Sequence, residues 1–209
     1  MKINTKRLVW ILNLFLGVLT VACQNKVHSR EELQGYITTP ENGLIQSKLV
    51  QNINVQVNYH PQELLVAQEL AGHTPSDSLL AQLTKKYADY YYFTVNLSHD
   101  NKEVLHQVGD MGSYSDLLQV LAFRMGEYTE LVSANKDTVA LANYMFDRTY
   151  GMATANTLLL AFPKKDLQNT EWVQVNMKEY GLGVGNLPFR FLLKDIQDVP
   201  TLDIKNINL

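Results

Sequence analysis

Asn52-Ile53-Asn54-Val55-Gln56-Val57-Asn58-Tyr59 alternates polar amides with β-branched and aromatic side chains without a break. Side chains along a strand point to opposite faces, so this stretch reads as a half-buried strand with an apolar face and an amide face. The same period returns at Tyr90-Tyr91-Tyr92-Phe93-Thr94-Val95-Asn96-Leu97, where Tyr91, Phe93, Val95 and Leu97 share the inward side and Tyr90 and Tyr92 point the other way. Between these strands the pattern changes to helix. Pro61 suits a first helical position ahead of Leu64, Leu65, Ala67, Gln68 and Ala71, and Gly72 closes the run. Thr74-Pro75-Ser76-Asp77 opens a second helix, capped by Thr74, with Leu79, Leu83 and Tyr87 on one face and Leu80 beside them.

Downstream, His99-Asp100-Asn101-Lys102 reads as a turn, and Ser113 to Asp116 as the cap of a third helix through Leu117, Leu118, Val120, Leu121 and Met125, ended by Gly126. Five strands are expected after it: Tyr128 to Val132, Thr138 to Phe146, Thr157 to Phe162, Val173 to Glu179 and Phe189 to Lys194. Helices early and strands late predict an α+β fold, an antiparallel sheet partly covered by about three helices. The alternative is a β-sandwich with helical insertions.

The N-terminus carries an address. Lys2, Lys6 and Arg7 precede an apolar run from Leu8 to Ala22, too short for the ~20 residues that span a bilayer as a helix. Residues 1–22 therefore read as a signal peptide. Leu19-Thr20-Val21-Ala22-Cys23 resembles the lipobox of bacterial lipoproteins, although Thr20 stands where leucine is more usual. The resemblance implies acylation of Cys23 with palmitate-type chains, each buried methylene contributing ~0.8 kcal/mol to membrane binding. Residues 23–35 are polar and aperiodic and read as a flexible tether, with a single globular domain over 36–209.

With this leader, Thr39-Pro40-Glu41-Asn42-Gly43-Leu44 and Asn58-Tyr59-His60-Pro61 resemble a group of uncharacterised lipoproteins of Bacteroidota-type bacteria. That resemblance brings no catalytic residues. It implies an outer-membrane lipoprotein facing the periplasm, because Gln24 is not the aspartate associated with inner-membrane retention and Gln24-Asn25-Lys26 lacks an acidic surface-export cluster. The cell surface is the alternative face.

Removing the three leader cations moves the formal charge from −3 to −6, which argues against nucleic acid as a partner. With the lone cysteine at position 23, no disulfide is available, and stability must come from packing of a chain that is 46% hydrophobic.

No local signature of chemistry emerges. The histidines, His28, His60, His73, His99 and His106, contain no close pair, and the best cluster, His99, Asp100, His106 and Asp110, is divided between a turn and a later segment, so no metal is expected. Gly181-Leu182-Gly183-Val184-Gly185 is followed by Asn186-Leu187-Pro188 and a strand, not by the helix a phosphate loop needs, and reads as a bend or bulge. Neither a Gly-x-Ser-x-Gly elbow nor a cofactor motif occurs, and the acid pairs Glu127 with Glu130 and Asp195 with Asp198 read as surface charge. The expected function is a non-enzymatic envelope protein that binds a protein partner or serves an assembly. The alternative is a glycan- or small-ligand-binding lipoprotein using Tyr90, Tyr92 and Trp172, with cross-strand packing as the competing role for the tyrosines. A hydrolase is the remote option.

Overall fold

The computed structural model describes residues 26–71, 76–165, 167 and 169–204; Cys23, Thr74 and His73 lie outside them. The chain enters with strand β1 (Lys26–Val27), helix α1 (Arg30–Thr38) and a 3-10 turn at Pro40–Asn42, then forms β2 (Ile45–Val50) and β3 (Ile53–Tyr59). Helices α2 (Gln62–Leu70) and α3 (Asp77–Tyr87) follow, then β4 (Tyr90–His99) and β5 (Lys102–Glu103). After α4 (Met111–Gln119), a π-turn at Val120–Arg124 and α5 (Met125–Tyr128), the remaining strands are β6 (Thr129–Ser133), β7 (Thr138–Ala140), β8 (Asn143–Asp147), β9 (Asn156–Pro163), β10 (Trp172–Met177) and β11 (Leu187–Leu192). Helix α6 (Leu193–Gln197) and β12 (Thr201–Leu202) complete the described chain.

The fold is α+β, with antiparallel strands in two sheets. The larger has the order β2-β3-β4-β9-β8, with β5 paired to β4, and the smaller has the order β11-β10-β6-β7. Their apolar faces share one core. Phe93 of β4 lies 5.1 Å from Phe191 of β11, 6.2 Å from Phe162 of β9 and 5.8 Å from Tyr59 of β3, measured between ring centroids. At the rim, Gln46 of β2 bonds the backbone of Arg190 in β11 in both directions, its Oε1 accepting the Arg190 N–H at 3.2 Å and its Nε2 donating to the Arg190 carbonyl. Helices α1, α2 and α4 add Leu33, Ile37, Leu64, Val66, Ala67, Leu70 and Leu117 to the same core.

Several expectations are corrected. The tether assigned to 23–35 is folded from Lys26 onward: β1 pairs in parallel with β12, and α1 buries Leu33 and Ile37. The signal was present in Ser29-Arg30-Glu31-Glu32, because Ser29 Oγ accepts the Glu32 N–H at 3.0 Å while the Glu32 carboxylate accepts the His28 N–H at 2.8 Å, a capping box displaced by one residue. Helix α4 is capped by Asp110, whose carboxylate accepts the Ser113 N–H at 3.0 Å, and the helical path runs past Gly126 to Tyr128. The single strand expected over Thr138 to Phe146 is two, β7 in the smaller sheet and β8 in the larger, and the last expected strand ends at Leu192, where α6 begins.

The β4–β5 turn places Asp100 and Asn101 in the left-handed region (φ 50° and 58°), as a tight hairpin requires. It delivers Glu103, only 2% exposed, to the loop between β8 and β9. Glu103 Oε1 accepts from Thr149 Oγ1 (2.5 Å), Gly151 N (2.9 Å) and Ala153 N (3.1 Å), and Oε2 accepts from Asn156 Nδ2 (2.9 Å). Burial alone raises this carboxyl's pKa, but the bonds from Thr149, Ala153 and Gly151, with His106 nearby, outweigh it and hold the group below its ordinary value. The associated stability is present above the ordinary carboxylate range and is lost as pH falls through the lower folded value. Glu103→Gln is expected to cost about 3 kcal/mol, because an amide N–H₂ would face the donors of the loop. Urea unfolding checks this, and a midpoint equal to that of the parent chain would rule out the carboxylate as the organiser of residues 148–155.

Candidate ligand cleft

The larger sheet has its core on one face and a second, mostly uncharged surface on the other, with Asp147 at its β8 edge. Side chains alternate along β4, so Phe93, Val95 and Leu97 enter the core while Tyr90, Tyr92, Thr94 and Asn96 take the outer face. Cross-strand register sets their neighbours: Tyr92 is opposite Ala161, Thr94 opposite Leu159 and Asn96 opposite Thr157. On β8, Asn143 is opposite Ala161 and Met145 opposite Leu159.

Helices α2 and α3 close one end of this face. The chain passes from β3 into α2 with only His60-Pro61 between, and from α3 into β4 with only Ala88-Asp89 between, so the helical pair is tied at both ends to the sheet. The His60 N–H donates to the Tyr92 carbonyl at 2.8 Å and fixes the start of α2 beside β4. Leu65 of α2 packs with Tyr92 and Ala161 in an apolar cluster separate from the main core, with Tyr87, Tyr90 and Leu159 around it.

A cleft of about 740 Å³ lies between these elements. Tyr87, Tyr90 and Tyr92 line it, with Leu65, Leu159 and Ala161 below, and Gln68, Glu69, Lys86 and Asn143 supply its polar groups. Tyr92 meets Tyr87 edge to face at 5.9 Å and Tyr90 at 6.1 Å. Glu69 and Lys86 form an ion pair across α2 and α3, and the Lys86 ammonium lies 5.0 Å from the centre of the Tyr87 ring. Hydrogen bonding from Lys86, then from Tyr87, holds the Glu69 carboxyl below its ordinary value. Burial, reinforced by the neighbouring Tyr87, pushes the Tyr92 phenol up to about 12, so its hydroxyl stays neutral. The cleft thus offers aromatic faces and amides with a self-compensated pair of charges.

Of the residues singled out in the sequence, Tyr90 and Tyr92 meet in this cleft, on the outward face assigned to them. Tyr92 is only 7% exposed and forms wall and floor, whereas Tyr90 is partly buried against it. Trp172 does not join them. It lies on the smaller sheet with the Arg190 guanidinium 3.9 Å from its ring centre, and Arg190 is held in turn by Gln174 Oε1 at 3.1 and 3.0 Å. The pattern of helix α3 placed Tyr87 on a packing face, but only tertiary structure brings Tyr87, Leu65 and Met145 to the same cleft.

The other constellations disperse. His99 faces Asp100 at 3.6 Å, His106 turns to Glu103 at 3.6 Å, and Asp110 caps α4; among the described residues no three His, Cys, Asp or Glu side chains group to hold a metal ion. Glu127 pairs with Arg124 and Glu130 with Lys178. The glycine-rich segment wraps the carboxylate of Glu179, which accepts from the N–H groups of Gly181 (2.7 Å), Gly183 (2.9 Å) and Gly185 (2.5 Å). Those amides already serve an internal anion. No helix among the described residues is long and apolar enough to cross a membrane.

No protein-family model matches the chain, and no curated protein matches it. Among solved structures, a crystal structure of a novel protein of unknown function from Burkholderia pseudomallei K96243 is similar, with a TM-score of 0.40 and 8% identity over 86% of this chain and 91% of that one.

The anchor of α2 has a pH signature. His60 Nδ1 lies 3.2 Å from Thr94 Oγ1, and burial lowers its pKa from 6.5 to about 4. The unfolded chain therefore binds this proton more readily, so His60 is expected to withdraw up to about 3 kcal/mol of stability as pH falls from about 6.5 towards 4. His60→Gln is expected to flatten this part of the stability profile, measured as unfolding midpoint against pH. An unchanged acid limb would assign the loss to other groups.

Proposed function

We propose that this chain is a lipid-anchored envelope protein whose folded domain binds a ligand in the tyrosine cleft. The anchor rests on the leader and Cys23, which supply the address, with the outer membrane and its periplasmic face as the proposed location. The cleft carries the binding role: it is concave, lined by aromatic and aliphatic side chains, and provided with a few polar groups at its margin, the usual constitution of a small-molecule site. This favours a glycan or small ligand over the protein-partner role that the sequence first suggested. Among the described residues, the large exposed apolar side chains Tyr150 and Met152 share the β8–β9 loop, while Leu49, Met111, Phe123, Met145 and Leu192 stand on separate elements, so at most that loop presents two together.

Binding without turnover is the proposed mode. Glu69, the carboxylate lining the cleft, is engaged by Lys86, and Tyr87 and Tyr92, whose phenols burial pushes up, are neutral donors and stacking faces rather than bases. Tyr90 is the residue to change, because it is exposed enough to be truncated without emptying the core.

A ligand that fills the cleft is expected to raise the melting temperature of the parent chain, and Tyr90→Ala is expected to remove most of that shift. Equal shifts in parent and variant would move the site elsewhere. Mass spectrometry of the protein purified from its natural membrane is expected to show acyl chains on Cys23, and an unmodified thiol there would end the anchored reading.

A further inference from the structure

The outer face continues beyond the cleft in a way that narrows the ligand. One register step from Leu159 and Met145, a row of side chains crosses the whole larger sheet: Ser47 is opposite Gln56, Gln56 opposite Asn96, Asn96 opposite Thr157, and Thr157 opposite Asp147. Each stands on a successive strand, so hydrogen-bonding groups recur every ~4.8 Å across the sheet. The row begins roughly 7 Å from Leu159 and Met145 at the near end of the cleft, two residues along the same strands, and about 20 Å from Tyr90, six residues before Asn96 on β4. Thr157 Oγ1 donates to Asn96 Oδ1 at 2.9 Å, and Ser47 Oγ lies 3.4 Å from Gln56 Oε1, which orients the amides and leaves their N–H₂ groups for an outside acceptor.

From this placement we infer that the ligand is a neutral saccharide chain, with one sugar stacked on Tyr90 in the cleft, the next few running along β4 over the cleft floor, and the sugars beyond them bonded along Asn96 and Gln56. The inference rests on the ligand-binding reading of the cleft and adds the class of ligand and its path. A pyranose ring presents C–H groups on its faces, which pack on aromatic faces, and hydroxyls around its edge, which match amides and hydroxyls as both donors and acceptors. The spacing between strands is comparable to the length of one pyranose in a chain, so successive sugars meet successive strands.

Charge excludes the near competitors. The cation lining the cleft, Lys86, is paired with Glu69, so a phosphate, sulfate or uronate would have to break that pair to be neutralised. The row ends in Asp147 at the strand β8 edge, which repels anionic chains further. A lipid or other wholly apolar ligand would leave the amide row unused, and a peptide adding to the edge of β8 would pair with backbone and would not cross the strands.

The test is titration calorimetry of the full chain against neutral di-, tetra- and hexasaccharides of glucose, mannose, xylose and galactose, with oligogalacturonate, a tyrosine-rich peptide and a detergent monomer as controls. At least one neutral series is expected to bind, with affinity rising about tenfold or more from disaccharide to hexasaccharide. Tyr90→Ala is expected to weaken every length about tenfold, the loss of one stacking face. Asn96→Ala is expected to weaken the hexasaccharide about fivefold, one net hydrogen bond, and to leave the disaccharide unchanged. Circular dichroism confirms that each variant is folded. Binding of the peptide, the detergent or the uronate with neutral sugars silent would overturn the saccharide class while leaving a ligand cleft. Affinity independent of chain length, or an Asn96→Ala effect equal at all lengths, would overturn the path across the sheet. Silence of every probe would overturn both this inference and the cleft's binding role.

Discussion

The contact between Phe93 and Phe191 decides what the rest of the molecule can do. It joins the inner faces of two antiparallel sheets at a ring separation of 5.1 Å, and Phe162 and Tyr59 surround it. Because a strand alternates its side chains, placing Phe93 in that junction forces Tyr92 and Thr94 to the opposite face. A one-residue slip of β4 would move Tyr92 into the core and Phe93 into water, so the core fixes the register that presents the cleft. Truncating Phe93 would remove a fully buried aromatic, a change that costs about 3–5 kcal/mol in well-packed interiors.

The helical pair then converts a flat outer face into a concave one. A sheet surface alone offers little enclosure; α2 and α3 rise at one end because their connections to β3 and β4 are too short to carry them elsewhere. Leu65 seals their base against Tyr92 and Ala161, and the Glu69–Lys86 pair joins the two helices at the margin. An exposed ion pair contributes little to stability, so its main effect here is electrostatic: it gives the cleft a local charge balance.

Local pattern made most of the architecture legible in the sequence. The strands at Ile53 to Tyr59 and Tyr90 to Leu97 and the helices after Pro61 and after Thr74-Pro75-Ser76-Asp77 follow from periodicity and turn chemistry, although the cap of the second is Ser76, whose Oγ accepts the Leu79 N–H at 3.2 Å, and not Thr74. Short segments were not legible in this way. Helix α1, which begins within 23–35, carries only weak local signals, Ser29 with Glu32 and two buried side chains, Leu33 and Ile37, in a mostly polar stretch that resembles a tether. The break between β7 and β8 depends on a change of sheet at Leu141-Ala142, which carries neither proline nor glycine to mark it. For the site, alternation identified the outward pair Tyr90 and Tyr92. Trp172 could not be placed from sequence, because its partner Arg190 is set by the pairing of β10 with β11.

The most chemically suggestive groups in the chain are those the fold consumes. Glu103 is enclosed by Thr149, Gly151, Ala153 and Asn156, and Glu179 by the amides of Gly181, Gly183 and Gly185. In both, a carboxylate satisfies backbone donors that a loop would otherwise have to expose or leave unpaired, and each is held below its ordinary pKa by those bonds despite the opposing effect of burial. A glycine-rich loop already closed on its own anion is a structural knot rather than a phosphate cradle. The same economy governs the cleft, where Lys86 and Glu69 answer each other. Aromatic faces and neutral amides are the groups that remain for an outside molecule to meet, so the cleft offers stacking and hydrogen bonding and not charge.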